Sequence, residues 1–201
     1  MERTGALLDR TALCRALTTL LNQVAATPAT IEYRLIGTAA ALLHGVTLPT
    51  RDVDILLKRR EDVDAFGAAL SRCTCLVTPV LLHGGRQYFA RYDVDGVEVE
   101  FSTVEMETPS DLFEATGPGP WRHYAELYCG RHLVPTVALE LRLLTELHRD
   151  RADRYQPIID YLAAHGCDLD LVRRGLEASG AADCLREEVL ARLTVAANAA
   201  P

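Results

Sequence analysis

Lysine is almost missing from this chain: Lys58 is the single one among 21 basic residues, so every other cation is an arginine. Against those 21 stand 28 acidic residues, giving a formal charge of −7. Broad nucleic-acid platforms show themselves as a basic excess, so this balance speaks against one and leaves room only for a local arginine cleft. Long apolar runs are missing too. Asp9, Arg10 and Arg15 interrupt the N-terminal leucines, and no stretch reaches the roughly 18 uncharged apolar residues that a bilayer crossing needs. The same interruptions argue against a secretion leader. The six cysteines, at 14, 73, 75, 129, 167 and 184, include no C-x-x-C pair and no zinc-type spacing with histidine. They are expected to be buried free thiols, in a reducing cytoplasm and away from any membrane. Also lacking are a G-x-x-x-x-G-K-S/T loop, a G-x-S-x-G elbow and an H-E-x-x-H helix. His44, His83, His123, His132, His148 and His165 are scattered and read as packing or surface residues.

The 201 residues suffice for one generous domain, or for a small α/β core with a helical extension. Leucines at helical spacing predict a first helix over 7–26, and alternation predicts a strand over 31–36. A short alanine-rich helix follows over 38–44, stopped at Gly45, then a loop and a strand over 52–57. A helix is expected over 61–71, and an edge or connecting strand over 73–80. The segments 88–92 and 97–104 alternate around Asp95-Gly96, a hairpin signal. Prolines and glycines make 108–119 a loop with at most a short helix over 111–115. A last small hairpin is expected from 124–128 and 132–134. Helices follow over 136–149, 153–164, 169–178 and 181–196, with Pro157 in a tolerated first-turn position. The fold class is therefore α/β (α+β): a mixed β-sheet flanked by helices over 1–134, and a helical region over 135–201 packed on it.

Ile36-Gly37-Thr38 and Asp52-Val53-Asp54-Ile55 carry the chemistry. Side chains two apart on a strand share a face, so Asp52 and Asp54 stand side by side while Val53 and Ile55 enter the core. Neighbouring anions repel unless a cation neutralises them, and carboxylate oxygens suit Mg²⁺. Glu98 and Glu100 pair in the same way on the strand of Val97, Val99 and Phe101, and together the two strands gather three or four acids. Alternatively, these glutamates line the wet side of an antiparallel strand. Tyr88, Phe89 and Tyr92 include a candidate base-stacking ring, although a strand core is the expected home of at least two.

An apolar residue before Gly-Ser or a near variant, a short spacer, an Asp-x-Asp and a third acid on a later strand together resemble the signature of the DNA polymerase β-like nucleotidyltransferases. The string LIGTAAALLHGVTLPTRDVDILL is especially similar to the stand-alone AbiEii-type toxin relatives. Downstream, Ala138 to Leu143 and Arg149 to Arg154 resemble the helix that carries a basic residue and an R-x-x-D-like segment. Thr38 stands where serine is commoner, Glu100 where aspartate is usual, and Arg142 where relatives commonly have lysine.

The resemblance implies a catalytic trio of Asp52, Asp54 and Glu100, with Glu98 as fallback, holding two Mg²⁺ ions. Gly37 lets the backbone approach a triphosphate, Thr38 adds a hydroxyl, and the helix-opening N–H groups complete an anion site. Arg142 and Arg149, two helical turns apart, and Arg51 beside the first carboxylate are the candidate phosphate contacts. The alternative is a solvated helix face on which Glu146 and Asp150 balance the two charges, with Arg51 a charge partner of Asp52. The implied reaction moves an NMP from an NTP to an acceptor hydroxyl of a tRNA or other RNA end, a protein, or a small molecule such as an antibiotic. An antitoxin partner belongs to the toxin-like version. The rival reading is a non-catalytic nucleotide-binding or antitoxin/regulatory module on the same fold.

Overall fold

A computed structural model of the chain describes residues 6–26, 31–107 and 113–197. In chain order the elements are α1 (Arg10–Ala25), β1 (Tyr33–Ile36), α2 (Gly37–His44), β2 (Asp52–Leu57), α3 (Arg60–Ala69), β3 (Thr74–Leu81), β4 (Tyr88–Val94) and β5 (Val97–Ser102). Then come α4 (Gly119–Arg122), β6 (Tyr124–Cys129), β7 (His132–Val137), α5 (Leu139–His148), α6 (Ala152–His165), α7 (Leu169–Ala178) and α8 (Asp183–Ala197). The strands form one mixed sheet in the order β3-β4-β5-β2-β1-β7-β6. β2 pairs with β5, and β1 with β7, in parallel; the other pairs are antiparallel. The α+β architecture expected from the alternation of elements is present.

Period-two alternation sorts the sheet into an apolar and a polar face. Val53 lies opposite Val99, and Ile55 opposite Phe101, all fully buried. α3 covers this face through Phe66, whose ring centroid lies 4.9 Å from that of Phe101. Burying such a ring stabilises the fold by roughly 1.5–3 kcal/mol. On the other face Asp52 lies opposite Glu98, and Asp54 opposite Glu100. The Asp95-Gly96 turn closes the β4–β5 hairpin with both residues at positive φ, 55° and 82°, the geometry that matches strand twist.

Several boundaries move for identifiable reasons. α1 begins at Arg10, not Leu7, because the Asp9 carboxylate accepts the Ala12 N–H at 2.7 Å and caps the helix. β7 runs on to Val137, past the expected stop at 134, since it is paired on both sides by β1 and β6. Pro157 is not in a first turn: α6 starts at Ala152, so the proline lies inside it and removes one helical N–H. The short helix expected over 111–115 lies partly outside the described residues; Phe113–Ala115 form a turn.

The cysteine expectation is overturned. Cys14 of α1 and Cys129 of β6 form a disulfide, and none of the remaining four is buried: Cys73 and Cys167 are half-buried, Cys75 and Cys184 exposed. Among the described residues no helix is long and apolar enough to cross a membrane.

The C-terminal helices dock on the end of α2. Gly45 closes α2 at a φ of 112°, the Tyr161 hydroxyl of α6 donates to the His44 carbonyl at 2.6 Å, and His44 Nε2 donates to the Val137 carbonyl at 2.9 Å. α7 lies so close to α5 that a Cβ at Gly175 would stand 2.1 Å from Leu144 Cδ1.

Candidate active site

An open cavity of ≈ 520 Å³ lies on the polar side of the sheet, where β2, β5 and the N-terminus of α2 meet α5. Asp52, Asp54 and Glu100 line its sheet wall; Arg51, Arg142 and Arg149 contribute opposing positive charge; Gly37 and Thr38 complete the α2 end. Eight of the nine residues singled out in the sequence therefore meet in one place. Glu98 is the exception. It is absent from the cavity wall, its side chain is 43% exposed against 14% for Glu100, and it faces Arg91 at 3.5 Å.

Parallel pairing of β2 and β5 brings Asp54 and Glu100 into register. The same row continues through Arg91 of β4, whose Nη2 stands 2.7 Å from Glu100 Oε1. Gly37 sits across β2's other edge, at a φ of 73°, and its bare Cα faces the Asp54 carboxylate: a Cβ there would lie 2.2 Å from Asp54 Oδ2. Only glycine satisfies both conditions, since an L-residue at this φ is strained and its side chain would enter space the carboxylate fills. The loop carrying Arg51 is pinned to α2 by buried Thr50, whose hydroxyl donates to the Thr38 carbonyl at 3.3 Å.

Arg142 departs from the solvated-face alternative. It is 2% exposed, and its guanidinium pairs with Glu114, from the turn before α4, and with Glu146, one helical turn along α5. Burial pulls its pKa below the ordinary arginine value; Glu114 pulls it back, Arg149 opposes and Asp54 supports the cation. The reach of Asp54 to Arg142 links the two walls electrostatically. Glu146 also meets Arg154 at 3.3 Å, and Glu114 Oε2 accepts the Gly37 N–H at 3.4 Å.

Glu114 and Arg154 are cavity residues that sequence reasoning did not single out, with Gln87 and Ser102. Glu114 comes from a proline- and glycine-rich stretch without periodicity, so no local signal marks it. Of the candidate rings, Phe89 lines the cavity, Tyr92 is buried beside Phe101, and Tyr88 donates to Asp64 at 2.9 Å. Lys58 is exposed yet paired: its Nζ is 2.5 Å from Glu32 and lies over the Trp121 ring.

The cavity's carboxylates offer only hard oxygen donors, the set that suits Mg²⁺, in two adjacent rows and cradled by Gly37. Among the described residues no three His, Cys, Asp or Glu side chains are gathered closely enough to hold a metal ion as they stand. The residue types fit the ion; the spacing requires the carboxylates to draw together around it.

No family model matches the chain, and no curated protein matches it. Among solved structures, the crystal structure of a protein from Thermotoga maritima described as a "putative nucleotidyltransferase" superimposes with a TM-score of 0.55 at 16% identity, over 78% of this chain and 96% of that one. At such identity the likeness concerns the backbone arrangement: the chain has the mixed-sheet α+β fold of that nucleotidyltransferase-like neighbour.

Proposed function

We propose that the chain is a Mg²⁺-dependent nucleotidyltransferase that moves an NMP from an NTP to an acceptor hydroxyl and releases pyrophosphate. The observation that carries the proposal is the convergence of Asp52, Asp54 and Glu100 on one cavity wall, opposite arginines and beside a glycine-opened helix.

In this reading Asp52 and Asp54 would hold two Mg²⁺ ions and Glu100 would complete one of the two sites. Bound there, the ions lower the pKa of the attacking hydroxyl and offset charge that builds on the phosphoryl oxygens. Gly37 lets the backbone that opens α2 come close to a phosphate, and Thr38 supplies a hydroxyl. Arg51, Arg142 and Arg149 neutralise and orient the polyphosphate. A Glu100 carboxylate oxygen accepts the acceptor's proton as the new O–P bond forms at the α-phosphorus and the bond to pyrophosphate breaks. The acceptor classes are an RNA or tRNA end, a protein side chain and a small molecule; an antitoxin partner and a cytoplasmic setting accompany the AbiEii-like version, which rests on the motif resemblance alone.

A second reading, a nucleotide-binding or regulatory module without catalysis, is favoured by one observation: Glu100 is engaged by Arg91, and Arg142 by two glutamates, so the site's charges are met internally. Labelled NTPs with Mg²⁺ and a fractionated cell extract separate the readings. An enzyme labels the RNA, protein or small-molecule fraction, and Asp54→Asn abolishes the labelling while retaining the fold. Stabilisation of the chain by NTP without any labelled product would select the regulatory module.

A further inference from the structure

Glu114 occupies the donors that an anionic ligand would need. It is 4% exposed; one oxygen pairs with Arg142, and the other accepts the Gly37 N–H, the first amide of α2, at 3.4 Å. Glu146, the other partner of Arg142, is shared with Arg154. Within these four side chains two cations meet two anions and the charge cancels. A phosphate added beside that balanced, largely buried set would crowd a third anion against Glu114 and Glu146, which a low-dielectric site disfavours. The charges balance again if the phosphate takes the place of one carboxylate. Glu146 is fully buried within α5, whereas Glu114 lies on a turn followed by Gly117 at a φ of 61°, with open space around its Cα.

We propose that Glu114 is a built-in counter-anion which a phosphate-bearing ligand displaces from Arg142 and the α2 amide. The proposal rests on the nucleotide reading above and adds how the site admits its ligand: binding is an exchange of one anion for another, so Glu114 weakens ligand affinity while it keeps Arg142 paired in the ligand-free protein. A ligand with several phosphate charges, which can also reach Arg51 or Arg149, competes with the carboxylate better than inorganic phosphate does.

The test is calorimetric titration of the full chain with inorganic pyrophosphate, comparing wild type with Glu114→Gln and Glu114→Asp. Glutamine removes the competing charge at nearly constant shape, and aspartate keeps the charge but withdraws it from the Gly37 amide. Displacement predicts pyrophosphate binding about tenfold tighter or more in E114Q, with E114D between it and wild type. If Glu114 served only to hold Arg142 in place, the variants would bind equally or more weakly, and that result overturns the proposal. Should E114Q fail to fold, E114D decides alone: tighter binding supports displacement, and equal or weaker binding overturns it. Pyrophosphate binding by wild type without any gain in the variants defeats the displacement and spares the nucleotide reading. Absence of both pyrophosphate and NTP binding in all three proteins defeats both.

Discussion

Replacing Gly37 with alanine should cost more than any other single-methyl addition to the cavity wall. Two effects combine at this position. A side chain at a φ of 73° is strained, by about 1–2 kcal/mol. Its Cβ would also stand 2.2 Å from Asp54 Oδ2 and 3.1 Å from Asp54 Cγ, so the carboxylate must move or the backbone must shift. Overpacking of this kind costs about 1–3 kcal/mol, which brings the total to about 2–5 kcal/mol. For a chain of this length each kcal/mol lowers Tm by about 2–4 °C, so a fall of about 4–20 °C is expected by calorimetry. Gly85 provides the control, because it has nearly the same φ, 69°, with nothing within 4 Å of its would-be Cβ. Gly85→Ala should therefore show the strain alone, about 1–2 kcal/mol. In an Asp54→Ala background the excess of Gly37→Ala over Gly85→Ala should shrink towards zero, which attributes it to the carboxylate. A Gly37→Ala protein no less stable than Gly85→Ala would refute the close approach of Gly37 to Asp54.

Three further outcomes are expected. Glu100→Gln should remove NMP transfer whereas Glu98→Gln should leave most of it, read as labelled product per unit time; equal losses would overturn the choice of Glu100 over Glu98. Reduction of the Cys14–Cys129 disulfide, which closes a loop of sequence separation 115, should lower stability by about 4–5 kcal/mol on the chain-entropy account, and a double Cys→Ser variant should be insensitive to reductant in the same thermal melt. Burial depresses the His44 pKa below 6.5 while its ring donates to the Val137 carbonyl, so the unfolded chain binds the proton first. Stability from this residue is therefore complete above the unfolded pKa and is lost as pH falls through the folded one; a His44→Gln variant should flatten that part of the stability–pH curve, and an unchanged curve would contradict the assignment.

The parts of the fold set by local chemistry were legible in the sequence. Alternation around Asp95-Gly96 marks the hairpin, Gly45 marks the end of α2, and the Asp-x-Asp spacing places two carboxylates on one face, because each signal acts over a few residues. The choice between Glu98 and Glu100 was not legible. It depends on how far along β5 the cavity extends, which the parallel register with β2 and the position of α2 decide together. The state of Arg142 was hidden for another reason: an arginine and a glutamate four apart look alike on an exposed helix and on one sealed by a loop. Glu114 and the Cys14–Cys129 bond depend on partners far along the chain, and nothing nearby in sequence announces them.

β2 lies fourth among the seven strands, hydrogen-bonded along both of its edges. Its two aspartates are thus mounted on a strand held from both sides, as on an anvil, so that drawing together around an ion is left to their side chains. The wall that faces them is built otherwise: Arg142 and Arg149 come from the two ends of α5, and Glu114 from a turn.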